Sequence, residues 1–405
     1  MKNFSCRVCE EKKFISILDL GKQPWGNDYM PIKDNQKSKK YPLHFGLCAS
    51  CSTAQINFTI PKEKMFLNHT YVSSTTKSLK NHFLEIGREI TKKIIFKEDD
   101  YILDIGGNDG TFLEYFYENE IKTLNIDSGV LQSKISNGKN IPCINKFFNE
   151  TVAFEIIDKY GLAKVIHGSG IFFHLEELKS AFSGVKKLLQ NKGLIVAEFI
   201  YLPVMMENCA YDQIYHEHLL YYSLSTFQNL LNQFDLEIFD ANLKEIHGGS
   251  CVAFISHRGH FSKTKKLNDL LFNEKVKGYD TLEFHKNFSK KVFLNKEKLI
   301  STIKQFKKEG KSIQSLGAPV KGSTIINYCN LSENEIDCGV EINPHKFNTY
   351  FPGTVIPVFD QSKVLPPDVY LLLSWNFKNE ILSKLKQFRE NGGKIIVPIP
   401  KIEVL

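Results

Sequence analysis

The sequence predicts an α/β chain of three parts: a small cysteine-bearing module, a central parallel-sheet unit and a smaller C-terminal α/β unit. Three observations predict it. Apolar strand-like runs alternate with helical patterns over residues 101–200, which is how a parallel sheet with crossover helices reads. Two C-x-x-C pairs lie in a first stretch with little helical periodicity. After a Lys- and Glu-rich helical stretch at 262–310, the strand–helix alternation resumes. At 405 residues the chain is also too long for one comfortable core.

Taken in order, residues 1 to about 70 hold the cysteine pairs, short strand-like runs and loop formers. Helical spacing runs from Leu84 to Phe96. YILDI (101–105) precedes a helix from about 110, TLNI (123–126) precedes a helix near 130, and a short strand follows at 141–146. AKVIHG (163–168), a helix over 176–190 and GLIVAEFI (193–200) continue the series. The segment 225–258 adds a helix and two runs, LEIFDANL and CVAFIS, expected to close the sheet edge in antiparallel fashion. One or two long helices cover 262–310. The last unit reads SIQSLG (312–317), a helix from Ser323, CGVEI (338–342), VYLLLS (369–374), a helix near 376–390 and KIIVPI (394–399). The expected boundaries are 1–70, 71–262 and 263–405.

Composition excludes several classes of partner. Lys plus Arg number 52 against 45 Asp plus Glu, a net charge of +7, yet only Arg7, Arg88, Arg258 and Arg389 are arginines. Arginine is the residue of bidentate phosphate and guanine recognition, and the lysines form no dense block, so no nucleic-acid partner is expected. The N-terminal residues lack the apolar stretch of a signal peptide. The most apolar run, Gly193 to Met206, is interrupted by Glu198 and too short to span a bilayer. The expectation is a cytoplasmic chain with no membrane anchor. Nine cysteines without a secretion signal do not read as a disulfide framework. Cys143, Cys209, Cys251, Cys329 and Cys338 are scattered and read as small buried hydrophobes.

The remaining four, Cys6, Cys9, Cys48 and Cys51, supply four thiolates in two chelating turns with 38 residues between them. Tetrahedral structural zinc requires that donor set, and a closed four-sulfur site leaves no position open for catalysis. The stretch YILDIGGNDG is a strand, a glycine-dense turn and a helix start. Glycines let the backbone pass close under a ligand there. The dinucleotide pattern G-x-G-x-x-G does not fit Gly106, Gly107, Asn108, Asp109 and Gly110. Asp104 precedes the first glycine by two residues, and Asp127 ends the next strand, where a carboxylate can accept both hydroxyls of a ribose. The spacing points to a nucleoside-bearing cofactor and leaves S-adenosylmethionine and a nicotinamide both open. Next, YDQIYHEHLLYYS (211–223) packs Tyr211, Tyr215, His216, Glu217, His218, Tyr221 and Tyr222 behind a central strand. Histidine is the natural base near neutral pH, and carboxylate or phenol neighbours tune it. Neighbouring residues face different ways and the zincin spacing is absent, which argues against a metal here.

With these residues in view, the chain resembles, nearly end to end, the bacterial S-adenosylmethionine-dependent C-methyltransferases of nucleotide-linked deoxy-keto-sugars. Four features coincide in order: the paired C-x-x-C module, the D-I-G-x-N-D-G loop, the Y-H-E-H segment with IHGGS (246–250), and GAPVKG (317–322) with INPHK and PGTVIPV. The resemblance implies a zinc-binding N-terminal domain, a Rossmann-like methyltransferase domain and a C-terminal α/β domain that helps hold a sugar nucleotide. It implies S-adenosylmethionine and structural zinc as cofactors. It makes His218 the base that removes the proton α to the sugar carbonyl, with Tyr215, Glu217 and Tyr71 (in YVSS) orienting base or substrate. It places the cofactor against Asp104, Gly106, Gly107, Asn108, Gly110, Asp127, Ser128 and Ser169, and the substrate against His174, Tyr222, Lys321 and Gly322, with Lys321 seating a diphosphate. A monomer is expected.

The match has a gap. Where the family usually shows an Asn-Asn pair before a histidine, HGSGIFFH (167–174) keeps His174 but has Ser169 and Gly170. The substitution leaves O-methylation of a nucleotide-sugar or polysaccharide precursor as the alternative reading, because that reaction needs a base but no enolate. Asp127 is followed by Ser128-Gly129 in place of the commoner Pro-Ala or Pro-Ser. With so few arginines, a pyrophosphate is expected to rest on backbone amides, lysine and hydroxyls.

Overall fold

A computed structural model describes residues 4–34, 38–67, 69–75 and 77–405. The N-terminal module is a hairpin of β1 (Phe14–Pro24) and β3 (Lys40–Cys48), with β2 (Met30–Pro31) in the connection and β4 (Ala54–Ile56) beside β3. The pairing runs from Phe14 opposite Cys48 to Pro24 opposite Lys40 and brings the two C-x-x-C turns to one end. Slips after Ser16 and Asp19 bend the hairpin.

The central unit contributes β5 (Tyr101–Ile105), β6 (Lys122–Ile126), β7 (Cys143–Ile144), β8 (Ala163–Ser169), β9 (Leu189–Ile200), β10 (Leu220–Tyr221), β11 (Leu236–Lys244) and β12 (Ser250–His257). Seven of these form one sheet in the order β7-β6-β5-β8-β9-β12-β11, parallel except for β12, which runs antiparallel to β9 and to β11. Every residue of β5 is buried, as expected of a strand covered on both faces. The helix Lys77–Lys93 covers one face with Leu79, Phe83, Ile86 and Ile90. The helices Glu150–Tyr160 and Leu178–Leu188 pack together through Ala153 and Gly184. The antiparallel edge built from 225–258 is present as expected.

The C-terminal unit consists of β13 (Ile313–Leu316), β14 (Cys338–Glu341), β15 (Thr349–Tyr350), β16 (Pro357–Asp360), β17 (Val369–Leu372), β18 (Lys394–Val397) and β19 (Glu403–Val404). Its parallel strands lie in the order β18-β17-β13-β14-β16. The chain therefore winds outward from β13 on one side, then returns to its other side. The reversal lies at the carboxyl ends of β13 and β17, where Gly317 and Ser374 meet closely: a Cβ on Gly317 would stand 2.5 Å from Ser374 Oγ. The helices Lys265–Lys277 and Leu282–Lys308 precede this unit.

Three details differ from the sequence expectation. The helix Glu150–Tyr160 had no counterpart; Asn149 caps it by accepting the amide of Val152. The helix expected from Ser323 begins at Val320, directly after Pro319, whose fixed φ suits a helix start. The helix expected over 376–390 is two short ones, Lys378–Lys384 and Lys386–Glu390.

The modules share strands. β4 pairs with β10, so Leu220 and Tyr221 complete the N-terminal sheet. β2 pairs with β15, so Met30 and Pro31 form the edge of the C-terminal sheet. The N-terminal segment is thus stitched into both other units.

Candidate active site

Each cysteine turn presents two sulfurs, and the four Sγ atoms of Cys6, Cys9, Cys48 and Cys51 lie within 4.8 Å of one another. Cys6 and Cys51 are 3.6 Å apart and Cys9 and Cys48 3.4 Å. A tetrahedron with Zn–S bonds of about 2.3 Å has sulfur–sulfur edges of roughly 3.8 Å, so the cluster fits zinc after minor relaxation. The amides of Val8 and Ser50 and the side-chain amide of Gln55 point at these sulfurs, as donors to thiolates do. This is a structural zinc site.

The glycine loop joins β5 to the short helix Glu114–Glu118. Gly106 and Gly110 have φ of 69° and 76°, and a Cβ on Gly107 would stand 2.4 Å from Asn125 Oδ1. The turn therefore folds tightly over the strand ends and only glycine fits its centre. Asp127 accepts hydrogen bonds from the amides of Asn108 (2.9 Å) and Gly129 (2.7 Å). Its carboxylate retains lone pairs for a ribose diol. Asn108 and Gln132 donate to the carbonyl of Tyr71, which sets Tyr71 beside the loop. Asp104 sits beneath the loop with its Oδ1 2.7 Å from His167 Nδ1, supporting the turn from below. Burial, with the neighbouring Asp104 and Asp109, raises the Asp127 pKa to about 6 against the two amide donors that lower it. Of the other carboxylates near the loop, Asp109 is paired with Lys139 at 3.1 Å and Asp104 with His167, which leaves Asp127 as the one placed to accept a ribose.

The His-Glu-His segment crosses the junction of all three modules, and partners from each hold it. Asn27 and Trp25 of the N-terminal module donate to Glu217 Oε1 at 3.1 and 2.6 Å, and His216 Nε2 donates to the carbonyl of Pro42. From the C-terminal unit, Trp375 Nε1 donates to Asp212 Oδ2 at 2.6 Å, and Thr324 Oγ1 donates to the carbonyl of Ile214. The central unit supplies the carbonyl of Phe173, bonded by the amide of Leu219. His218 therefore sits in a fixed place. Its Nδ1 lies 2.8 Å from the carbonyl of Gln213, which can only accept, so Nδ1 carries the proton and Nε2 keeps its lone pair. Burial drives the His218 pKa well below 6.5, with His174, His247 and Lys321 adding to the effect. Its ring lies 3.9 Å from that of Tyr215 and 5.1 Å from that of His174 (centroid distances). His174 is fixed the same way, its Nδ1 donating to the carbonyl of Glu217 at 2.6 Å. Burial also pushes the Tyr215 phenol well above 10 and the Tyr71 phenol upward, so both stay protonated as donors.

The structure thus gathers His218, Glu217, Tyr215 and His174, while Tyr71 is tied through its carbonyl to the cofactor loop. Ser128 follows Asp127 on the same turn. Ser169 ends β8 and donates to Glu198 Oε2 at 2.6 Å. Three expected substrate contacts have settings of their own. Tyr222 is fully buried and its hydroxyl donates to the carbonyl of Phe172, so it is a core residue. Gly322 packs inside the helix Val320–Tyr328, where a Cβ would meet Leu373 at 3.0 Å. Lys321 turns inward: its ammonium stands 4.2 Å over the Trp375 ring and 3.8 Å from Asp212, with no hydrogen-bond partner. A diphosphate reaches it only by displacing these groups. Sequence reasoning missed Trp25, Asn27, Trp375 and the buried pair His82–Glu198, joined at 2.8 Å. The one signal for the first and third was the presence of only two tryptophans in the chain.

Three family models match the chain in succession: a zinc binding domain over residues 6–66, a methyltransferase domain over 79–241 and a C-methyltransferase C-terminal domain over 245–400. The chain is an S-adenosylmethionine-dependent methyltransferase with a C-methyltransferase C-terminal domain. Among curated relatives, this methyltransferase is 27% identical to C-methyltransferase NovU of Streptomyces niveus over 404 residues, 99% of this chain and 96% of that one. A solved S-adenosylmethionine-dependent methyltransferase of Clostridium acetobutylicum shares 13% identity, covering 46% of this methyltransferase and 94% of itself, with a TM-score of 0.36. Magnesium protoporphyrin IX methyltransferase of Synechocystis, solved with its cofactor bound, shares 8% identity over 48% of this chain and 88% of that chain, with a TM-score of 0.33. Among the described residues, no helix of the methyltransferase is long and apolar enough to cross a membrane.

Proposed function

We propose that the enzyme methylates a ring carbon of a nucleotide-linked deoxy-keto-sugar, with His218 Nε2 as the base. The observation that carries this reading is the hydrogen bond from His218 Nδ1 to the carbonyl of Gln213. It leaves a neutral imidazole with one free lone pair, walled by Tyr215 and His174. Carbon becomes nucleophilic only when a base removes the proton α to a ketone and donors hold the resulting enolate oxygen. His218 takes that proton. The phenols of Tyr215 and Tyr71 would donate to the enolate oxygen or the sugar, and the Nε2 lone pair of His174 would accept from a sugar hydroxyl. Glu217, with one oxygen held by Trp25 and Asn27, offers the other to a sugar hydroxyl. Asp127 and the loop at Gly106–Gly110 hold S-adenosylmethionine, which supplies the electrophilic methyl group. The likeness to a C-methyltransferase along nearly the whole chain supports carbon as the acceptor.

The test uses methyl-labelled S-adenosylmethionine and a nucleoside-diphosphate-linked 4-keto-6-deoxyhexose. The label is expected on a ring carbon. Without the methyl donor, solvent deuterium is expected to enter the α position. His218→Ala should lower both rates by about 10²-fold or more, the usual contribution of a general base. Label on oxygen without α exchange would replace this reading with O-methylation, the alternative that Ser169-Gly170 keeps open.

A further inference from the structure

The chain has two tryptophans, and each gives its indole N–H to a carboxylate of one short segment. Trp25 donates to Glu217 and Trp375 to Asp212, both at 2.6 Å. One indole comes from the N-terminal module and the other from the C-terminal unit, and between the two carboxylates lie Gln213, whose carbonyl fixes His218, and Tyr215. We propose that Trp25 and Trp375 are positioning residues of the methyl-transfer site, a two-ended clamp by which the flanking modules set the segment 212–218.

The surroundings support a positioning role. The turn bearing Trp25 is wedged in place: a Cβ on Gly26 would stand 2.6 Å from Val320 Cγ1, and the Tyr29 hydroxyl donates to the carbonyl of Ala318. Asn27 adds a second donor to the same oxygen of Glu217. Among the described residues, no hydrogen bond is made to the other oxygen of Glu217, and the nearby Lys346 ammonium is the charge that faces this carboxylate. At the other end, Gly248 leaves room for the Trp375 ring, since a Cβ there would be 2.8 Å from Cη2. Gln213 Nε2 donates to the carbonyl of His247 next to it. Asp212 is fully buried and holds Lys321 at 3.8 Å. Short bonds from a rigid donor to a charged acceptor are among the stronger single contacts and fix direction as well as distance.

The clamp rests on the proposed function for its link to turnover, and the experiment separates the two. Trp25→Phe and Trp375→Phe keep an aromatic ring and delete the donor; Asn27→Ala leaves the Trp25 packing intact. With the keto-hexose assay above, each tryptophan variant is expected to lose roughly tenfold in kcat, as loss of a hydrogen bond to a charged group implies. In a Glu217→Gln background, Trp25→Phe should cost less than about twofold more, because the two act through one contact. Losses that multiply in the double variant, or a Trp25→Phe enzyme within twofold of wild type, would overturn the clamp. A second readout needs no substrate. With two tryptophans, the protein labelled with ¹⁵N gives two indole N–H signals; Glu217→Gln must move the Trp25 signal alone and Asp212→Asn the Trp375 signal alone. If both signals stay put, the bonds do not exist in solution and the proposal fails. If wild type transfers no methyl to the sugar while the indole signals respond, the acceptor is wrong and the clamp stands.

Discussion

At the scale of single residues, the site works by fixing which atom carries a proton. His218 and His174 each spend Nδ1–H on a backbone carbonyl, so both present Nε2. Asp127 shows the same control over a carboxylate, but with the opposite sign of shift. Burial first, then Asp104 and Asp109, lift its pKa to about 6. A protonated carboxyl loses acceptor capacity for a ribose diol. Affinity for S-adenosylmethionine is therefore expected to fall as pH drops through about 6, and calorimetric titration at pH 7.5 and 5.5 checks it. Asp127→Asn should weaken binding at the higher pH and flatten the dependence. The linkage to stability runs the other way. A carboxyl whose folded pKa is raised stabilises below its unfolded value and loses that contribution as pH rises through about 6. The melting temperature of Asp127→Asn relative to wild type, without cofactor, should thus increase from pH 5 to pH 7.5; an unchanged difference would contradict the raised pKa.

At the scale of elements, the sequence makes the parallel sheet plain and the contacts between modules obscure. The runs YILDI, TLNI, AKVIHG and GLIVAEFI are short, apolar and bounded by turn residues, and each is a strand. The helix Glu150–Tyr160 was missed although Asn149 caps it, because its apolar residues alternate with charges in a pattern too short to stand out. The loop at Gly106 and the Y-H-E-H segment were legible because glycine and histidine carry their chemistry locally. Trp25 and Glu217 are 192 positions apart, so their bond follows from tertiary packing that no local pattern encodes. The enclosure of Lys321 was hidden for a related reason. A lysine at a strand-to-helix turn reads as a phosphate seat, but Trp375 and Asp212 arrive from distant segments and enclose it. The pairing of β4 with β10 yields a prediction of its own. Arg7 donates to the carbonyl of Ile56 and Gln55 to Cys6 Sγ, so the metal turn and β4 move together, and β10 follows His218 by two residues. Cys48→Ser should release zinc, measured by metal analysis, and lower methyl transfer by about 10²-fold, since misplacing a reacting group by an ångström has effects of that size. S-adenosylmethionine binding should persist, because the loop and Asp127 stand on β5 and β6. Loss of zinc with transfer intact would mean that the metal does not shape the site.

At the scale of the whole molecule, the three modules exchange strands rather than merely touching. Met30 and Pro31 lie on the edge of the C-terminal sheet, Leu220 and Tyr221 complete the N-terminal one, and the segment 212–218 runs where they meet. Removing the N-terminal module strips the partner strand from β15 and from β10 together, and leaves Glu217 without Trp25 and Asn27. An unpaired edge and a buried carboxylate deprived of donors are both costly. The folded units therefore support one another, and unfolding is expected to be a single cooperative transition even though the chain is long enough for several domains. Scanning calorimetry of the full chain with and without a strong zinc chelator tests this. The expected result is one transition that moves to lower temperature as a whole when the metal is removed, with a chain lacking residues 1–60 melting lower still and transferring no methyl group. A separate low-temperature transition that disappears with zinc, leaving the main one unmoved, would show that the N-terminal module melts on its own and that its strands add nothing to the other two.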